Sequence, residues 1–473
     1  MAAIGIGNLG TLNTLVFSSL EFLFRYLPLF LLIFFVTPVK YRNFVLFAFS
    51  LILYGLGEPK YVFLLLGMCG VNYLFGRSLE EGREAIGPGA MRRQQRRRKK
   101  WLFLGVVCNA ALLIYFKLSG AMDTNMLLPL GISFYTFKSI SYLADVYRGE
   151  TEAEHSFVRL GVYICCFPQI VSGPIMRYND ALEGLLDGEG KLTRVEDGIK
   201  LLVAGLGMKV LLADRLGILW NDIQTVGFES ISTPLAWLGA FSYSMELYFD
   251  FAGYSLMAVG TGVMIGFPKI RNFDQPYSAR SVSEFYRRWH ITLGSWFRDY
   301  IYIPLGGNRR GGWRTAFNLL AVWAVTGFWH GGGLHFVVWG LVLGLLVILE
   351  KFWLGPHLKR HPVLSHLYVL FVIPLTWVLF AAPSLREAGI YFARLFPFFG
   401  VGAAVNPGDF GKELSVFWPV LAASVFFCIP QVYRWCEKHR RNTLVILALF
   451  AIFWFCVYRM ANAANNPFMY ANF

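Results

Sequence analysis

The chain has 473 residues, of which 56% are hydrophobic, 17% aromatic and only 15% charged, with a formal charge of +14 and a mean hydropathy of +0.50. A soluble chain of this length carries roughly 25% charged residues and divides into two or three domains, so a soluble multidomain protein is excluded. Apolar runs of about 18 residues or more recur from end to end, each long enough to cross a hydrocarbon core. The expectation is an all-α polytopic membrane protein with about 11–13 transmembrane helices, folded as a single integral-membrane domain over 1–473.

In chain order the predicted spans are 14–36, 41–56, 58–78, 101–118, 157–175, 197–214, 232–265, 314–330, 335–353, 364–382, 415–433 and 442–459. The stretches 127–143 and 290–306 are apolar but broken by Gly, Pro and charge. They read as short, tilted or re-entrant pieces, which need protein or a water-lined cavity around them. Glu21 and Arg25 interrupt the first apolar run and no small-residue cleavage site follows it, so no cleavable signal peptide is expected.

Basic residues set the topology. MRRQQRRRKK (91–100) holds seven Lys/Arg in ten positions and belongs on the cytoplasmic side under the positive-inside rule. That places the loop 79–100 inside, TPVKYRN (37–43) and RWCEKHRRN (434–442) inside, GEPK (57–60) outside, and both termini outside. The positive charge is then read as topology and anionic-lipid contact, and no nucleic-acid partner is expected. The cysteines at 69, 108, 165, 166, 428, 436 and 456 show no CxxC and no metal spacing. They read as small hydrophobes in a bundle, with an acyl-thioester role for Cys165–Cys166 as the minor reading; no metal is expected.

Charge inside the membrane needs a partner or a task. In SMELYFDFAGYS (244–255), Glu246 and Asp250 are four apart and share a helical face. Asp250 is read either as a packing residue bonded to backbone or an arginine, or as a substrate contact. SEFYRRWHITLGSWFRDYIYIPLGGNRRGG (283–312) alternates charge with aromatics, as an interfacial amphipathic element does. It runs into a glycine-rich turn whose Arg309 and Arg310, with Arg314 beyond, are candidates for holding donor phosphates or for lipid headgroups.

VTGFWHGGGLHF (325–336) carries His330 between an apolar run and three glycines. The preceding residues keep the site dry, which strengthens electrostatics. The glycines let backbone bend and a substrate approach. Imidazole moves protons near neutral pH. The residues alone give a buried polar site with either packing or catalysis as its role. His335 lies on another helical face and reads as supporting or structural.

SEFYRRWHITLGSWFRDYIYIPLGGNRRG followed by TGFWHG closely resembles the membrane-bound O-acyltransferase superfamily, in its bacterial alginate O-acetyltransferase-like branch. VFSSLEFLFRYLPL (16–29), LLPLGISFYTFKSISYLADVYRG (127–149), FPQIVSGPIMR (167–177), ELYFDFAGYS (246–255) and NPFMY (466–470) extend the resemblance over nearly the whole chain, with the signature core at 244–353. It implies transfer of an acyl group, typically acetyl, from a cytoplasmic thioester such as acetyl-CoA to hydroxyls of an extracytoplasmic polysaccharide such as alginate. His330 matches the family's essential histidine and His290 its second one; the family asparagine or aspartate positions have no equally clear counterpart. The implied fold is a ring of helices around a thin central wall.

On this reading His330 is the general base, and the Gly331–Gly333 amides or His290 serve the oxyanion; an acyl-imidazole on His330 is the chemical alternative. Candidate substrate or donor contacts are Arg309, Arg310, Arg314, Trp329, Asp250 and Gly331. Two departures from relatives are Leu256 where Asp is common and Tyr286 where Trp is common. No bound cofactor is expected, only the thioester donor. Expected partners are membrane lipid, the polysaccharide, and a separate secreted or membrane-anchored acetyltransferase that finishes the reaction. Within the class the alternative is D-alanyl transfer to teichoic acid from a carrier protein. Outside it, a secondary transporter or flippase would suit the intramembrane charges, but it predicts an inverted repeat and the two WH motifs, 40 residues apart, lie in unrelated surroundings.

Overall fold

The computed structural model describes residues 17–80, 88–122, 128–171, 173–187, 192–399 and 402–462. The closing NPFMY motif and part of the loop 79–100 lie outside the described residues. Those described fold into helices, with no strand among them.

The helices in chain order are α1 (Phe22–Val36), α2 (Val39–Gly57), α3 (Val62–Glu80), α4 (Pro88–Met122), α5 (Ile132–Arg148), α6 (Phe157–Cys165), α7 (Phe167–Ile170), α8 (Tyr178–Asp187), α9 (Leu192–Gly207), α10 (Asp214–Val226) and α11 (Thr233–Met264). There follow α12 (Val282–Arg288), α13 (Ile291–Phe297), α14 (Gly311–His330), α15 (Leu334–Leu349), α16 (Gly355–Arg360), α17 (Pro362–Ala381), α18 (Leu385–Leu395), α19 (Asp409–Phe427), α20 (Pro430–Lys438) and α21 (Thr443–Asn462). Among the described residues seven helical stretches are long and apolar enough to cross a membrane: Val39–Gly57, Pro59–Glu80, Pro88–Gly120, Leu334–Arg360, Pro362–Ala381, Asp409–Phe427 and Thr443–Asn462. They coincide with seven of the predicted spans. The other five are also helical, but differently built. The first is a shorter apolar helix, Phe22–Val36; 157–175 breaks into α6 and α7 at Cys166, just before Pro168. The spans at 197–214, 232–265 and 314–330 fall on α9, α11 and α14.

The chain forms two compact units, one of Met1–Val203, Tyr254–Ile270 and Val457–Asn472, the other of Ala204–Gly253, Arg271–Cys456 and Phe473. In the first, the predicted interrupted piece at 127–143 is part of α5, an unbroken 17-residue helix with nearly every side chain buried. Gly131, at φ +71°, turns the chain into it, and a Cβ there would meet the Ile170 carbonyl oxygen at 2.1 Å, so only glycine fits. The basic run 91–100 is not a loop but the opening turns of the 35-residue α4. Arg98 from it donates to the carbonyls of Leu79 (2.9 Å), Val146 (3.1 Å) and Tyr147 (2.8 Å), closing the last turns of α3 and α5. The start of α4 and the ends of α3 and α5 therefore share one face. Deeper in, Asn72 and Asn109 exchange amide hydrogen bonds of 3.1 and 2.8 Å between α3 and α4, a polar clasp of the kind that joins membrane helices.

In the second unit α14 and α15 form a tight hairpin. A Cβ on Gly327 would stand 2.3 Å from the Phe336 carbonyl oxygen, and one on Gly340 2.3 Å from that of Trp323. Small residues let the two backbones touch. The charge in the predicted span 335–353 is also accounted for: buried Glu350 accepts from the Val282 N–H (2.6 Å), the Ser283 N–H (2.8 Å) and the Ser283 hydroxyl (2.6 Å). A carboxylate at the start of α12 satisfies backbone donors that its first turn leaves open.

Candidate active site

His330 is the last residue of α14 and is 4% exposed. Three aromatic rings surround its imidazole, all meeting it edge to face: Trp329 at 4.5 Å, Trp339 at 5.1 Å and Phe380 at 5.2 Å between centroids. Such walls exclude water and leave a titratable ring in an apolar surround. The glycines that follow do more local work than providing room for a substrate. A Cβ at Gly331 would lie 2.3 Å from the Phe336 ring, and one at Gly333 2.5 Å from the His335 ring. They let the α14–α15 turn fold its own side chains close against the backbone. The Gly331 N–H donates to the Gly327 carbonyl at 3.4 Å. The His335 and Phe336 rings meet at a tilt of 42° with centroids 4.0 Å apart.

His290 caps α13 in the left-handed conformation, at φ 44° and ψ 55°. Few non-glycine residues adopt it, and they gather at functional sites. It is 3% exposed. Its Nδ1 donates to Asn272 Oδ1 at 3.2 Å; that oxygen also accepts from the Thr292 hydroxyl (2.9 Å) and N–H (3.3 Å). The Asn272 carbonyl accepts from the Ile291 N–H at 2.9 Å, so one residue pins the loop on both sides of the histidine. Because the amide oxygen only accepts, the Nδ1 proton is assigned and Nε2 keeps its lone pair. Phe251 meets the ring edge to face at 4.7 Å and Phe273 stacks on it at 6.5 Å. Asn272, in the loop after α11, is the residue beside His290 that the sequence reading did not single out. It sits within RNFDQPY (271–277) with no local signal to set it apart, and its partnership with His290 spans 18 residues.

A continuous aromatic belt joins the two histidines. Phe273 contacts Trp289 (5.2 Å), Trp289 contacts Trp377 (5.2 Å), Trp377 stacks on Trp339 (5.7 Å), and Trp339 touches His330. Tyr286 lies inside this belt, 4.8 Å from Trp323 and 6.4 Å from Trp377. The departure from tryptophan at that position is thus filled by another ring.

The remaining candidates fall into two groups away from this belt. Arg309, Arg310 and Arg314 are exposed at the opposite end of α14 from His330. Sixteen residues of helix separate Arg314 from His330, about 24 Å at 1.5 Å per residue. Arg310 packs its stem along Gly306, whose Cβ would lie 3.3 Å from Arg310 Cδ, and Arg314 lies over the Phe317 ring at 5.4 Å. Asp250 is 1% exposed and ion-paired. Lys209 Nζ stands 2.7 Å from Asp250 Oδ1 and 2.7 Å from Asp214 Oδ1. The cation is a lysine set on a π-helical turn, 208–213, between α9 and α10, and not the arginine considered from sequence. Such turns mark places where a helix is bent to present a side chain. Glu246, one turn before Asp250, is 8% exposed. Its carboxyl lies against Gly217, where a Cβ would fall 2.5 Å from Oε1. Among the described residues no cluster of His, Cys, Asp and Glu has the arrangement of a metal site.

The site thus pairs a histidine at a helix end, walled by rings, with a second one held by an asparagine. Comparison with known proteins places it. The membrane-bound O-acyltransferase family profile matches residues 150–378. The chain is 36% identical over 445 residues, 90% of its own length and 84% of the relative's, to a probable alginate O-acetylase of Pseudomonas syringae pv. tomato. It is 31% identical to the peptidoglycan O-acetyltransferase of Helicobacter pylori, over 79% of this chain and 78% of that one. To the teichoic acid D-alanyltransferase of Bacillus subtilis it is 28% identical, over 48% of this chain and 60% of that one. The chain belongs to the membrane-bound O-acyltransferase family, in the alginate O-acetylase-like branch. It is a multi-pass membrane protein and an O-acyltransferase.

Proposed function

We propose that this enzyme moves an acetyl group from a cytoplasmic thioester, acetyl-CoA, across the membrane towards the hydroxyls of an extracytoplasmic polysaccharide, with His330 as general base for transfer to an acceptor hydroxyl. In this reaction His330 takes the proton of the attacking hydroxyl as its oxygen bonds to the thioester carbonyl. The tetrahedral intermediate expels the thiolate as the C–S bond breaks, and the imidazolium returns the proton to the sulfur. A positioned base contributes roughly 10²–10⁴ in rate. The observation that carries the proposal is the seating of His330 among Trp329, Trp339 and Phe380 at the end of α14.

His290, held by Asn272, is the second histidine of the site, with its Nε2 lone pair turned from the asparagine. It aligns an acceptor hydroxyl or, as a protonated donor, the oxyanion. The Gly331 amide is the weaker oxyanion candidate, since it already donates to Gly327. Arg309, Arg310 and Arg314 bind the donor's phosphates. Their distance from His330 requires a donor with a long flexible arm, as a pantetheine thioester has. Asp250 acts through the fold, by fixing Lys209. The enzyme works in the cell membrane, with the 79–100 region cytoplasmic and both termini outside, and hands its product to a separate acetyltransferase. The acetylating relatives match across most of the chain, whereas the D-alanylating ones match about half, which favours acetyl over D-alanyl.

The test is transfer from labelled acetyl-CoA in membranes holding the enzyme and its partner, with native chain and His330→Ala at equal abundance and a D-alanyl carrier as parallel donor. Product lost by 10² or more in the variant is the expected result. Transfer from the D-alanyl carrier alone would replace the donor assignment, and full transfer by the variant would reduce His330 to packing.

A further inference from the structure

Trp339 stands in the second turn of α15 and is 1% exposed. Its ring stacks on Trp377 at 5.7 Å, meets Phe380 at 5.2 Å and Trp323 at 6.4 Å, and stands at 89° to the His330 imidazole with centroids 5.1 Å apart. The backbone beneath it is held as closely, since Gly340 packs on the Trp323 carbonyl. The indole N–H is the only polar group of this side chain, and it is buried without a hydrogen-bond partner. A buried indole N–H usually finds an acceptor, and a donor left unpaired costs about 1–3 kcal/mol. The aromatic stack uses the ring and has no use for the N–H, so packing does not explain a donor kept at that cost. Trp377, the next ring of the belt, carries a second buried N–H without an acceptor. Of the two, Trp339 is the one whose ring meets the imidazole.

We propose that the Trp339 Nε1–H is the oxyanion donor of the acyl-transfer site, a role that rests on His330 acting as the base. As the acceptor oxygen bonds to the thioester carbonyl carbon, the carbonyl π pair moves onto its oxygen. The indole N–H donates a hydrogen bond to that oxyanion and keeps its proton, because indole is a donor only. When the C–S bond breaks the carbonyl re-forms, and His330 passes the hydroxyl proton to the thiolate. A base about 3 Å from the attacking oxygen and a donor about 3 Å from the oxyanion lie roughly 6–7 Å apart. Two rings with centroids 5.1 Å apart span that separation. Both are fixed by packing before a substrate arrives, and such preorganisation is what gives an oxyanion donor its value. The Gly331 amide, by contrast, already donates to Gly327. A neutral donor of this kind serves an acetyl and a D-alanyl thioester alike.

The experiment replaces Trp339 in the full chain by its benzothiophene isostere, which keeps the fused ring and carries sulfur in place of the N–H. Trp339→Phe, His330→Ala and the native chain are measured beside it. The readouts are kcat and KM per folded molecule in the same membranes, with acetyl-CoA and the D-alanyl carrier each supplied as donor. The isostere should lose roughly 10²–10³ in kcat at native abundance and melting temperature. Its KM should stay within about twofold of native, the signature of a contact made only in the transition state. Trp339→Phe should lose at least as much. A packing role would instead show as a loss in Trp339→Phe that the isostere does not share. Native turnover by the isostere would therefore overturn the proposal and leave His330 as the base. Full transfer by His330→Ala would overturn the base assignment and this proposal with it.

Discussion

Two buried polar sites in the second unit solve the same problem in opposite ways. At Lys209 the chain brings an ammonium into contact with two carboxylates at 2.7 Å, with a third, Glu246, one turn earlier than Asp250 on α11. At His330 it surrounds an imidazole with three aromatic rings. The first arrangement is electrostatically saturated: each charge exists because the others do, and removing one strands the rest in a low-dielectric interior. The second is walled by rings that carry no formal charge. Intramembrane polarity by itself therefore does not mark chemistry. The proposed place of chemistry is instead the histidine walled by aromatic rings.

The comparison predicts distinct failures. The largest expected effect is on turnover: His330→Ala should lower acyl transfer by 10² or more at unchanged abundance, measured as product per folded molecule. Next comes folding. Lys209→Met leaves buried carboxylates uncompensated, a loss of about 3–5 kcal/mol, which should appear as low abundance and a lowered melting temperature, with Asp250→Asn milder because one carboxylate still faces the lysine. Asn272→Ala removes the acceptor that holds His290 and the Thr292 donors, a loss of about 1–3 kcal/mol; transfer per folded molecule should fall roughly tenfold with a melting temperature lowered by a few degrees, and Asn272→Asp should restore part of both. Smaller still, Arg310→Gln with Arg314→Gln should raise the donor KM severalfold and leave abundance alone, and an unchanged KM would confine them to topology.

A pH effect separates the first unit from both sites. Burial pushes the Glu154 carboxyl up, but bonds from Arg159, Tyr178 and the Ser156 N–H outweigh it and hold the group below the usual carboxylate range. A depressed folded value means the stabilisation is complete above the ordinary carboxylate value and is lost as pH falls through the folded one. Acid unfolding of the native chain should therefore be steeper than that of Glu154→Gln, followed by the melting temperature between neutral and acid pH.

Much of this was legible in sequence where the signal is local. Seven spans, the basic run and the two WH motifs each show within about twenty residues. What was not legible depends on distant partners. Lys209 meets Asp250 across 41 positions of sequence, so an acid was visible without its cation. Asn272 looks like an ordinary loop residue until the chain folds it against His290. The glycines after His330 read as space for a substrate, yet Phe336 and His335 occupy that space at Gly331 and Gly333, because a hairpin this tight needs it. Nor did composition reveal that α5 would be almost wholly buried despite its charge and its preceding Gly and Pro.

The most direct measurement sets the two buried sites side by side: labelled acetyl transfer per folded molecule for His330→Ala and Asp250→Asn, in the same membranes with the partner present. The account predicts a loss of 10² or more for the first and native turnover, at reduced abundance, for the second. Comparable turnover losses in both, at native abundance, would contradict it, since the charge cluster would then belong to the chemistry and not to the fold.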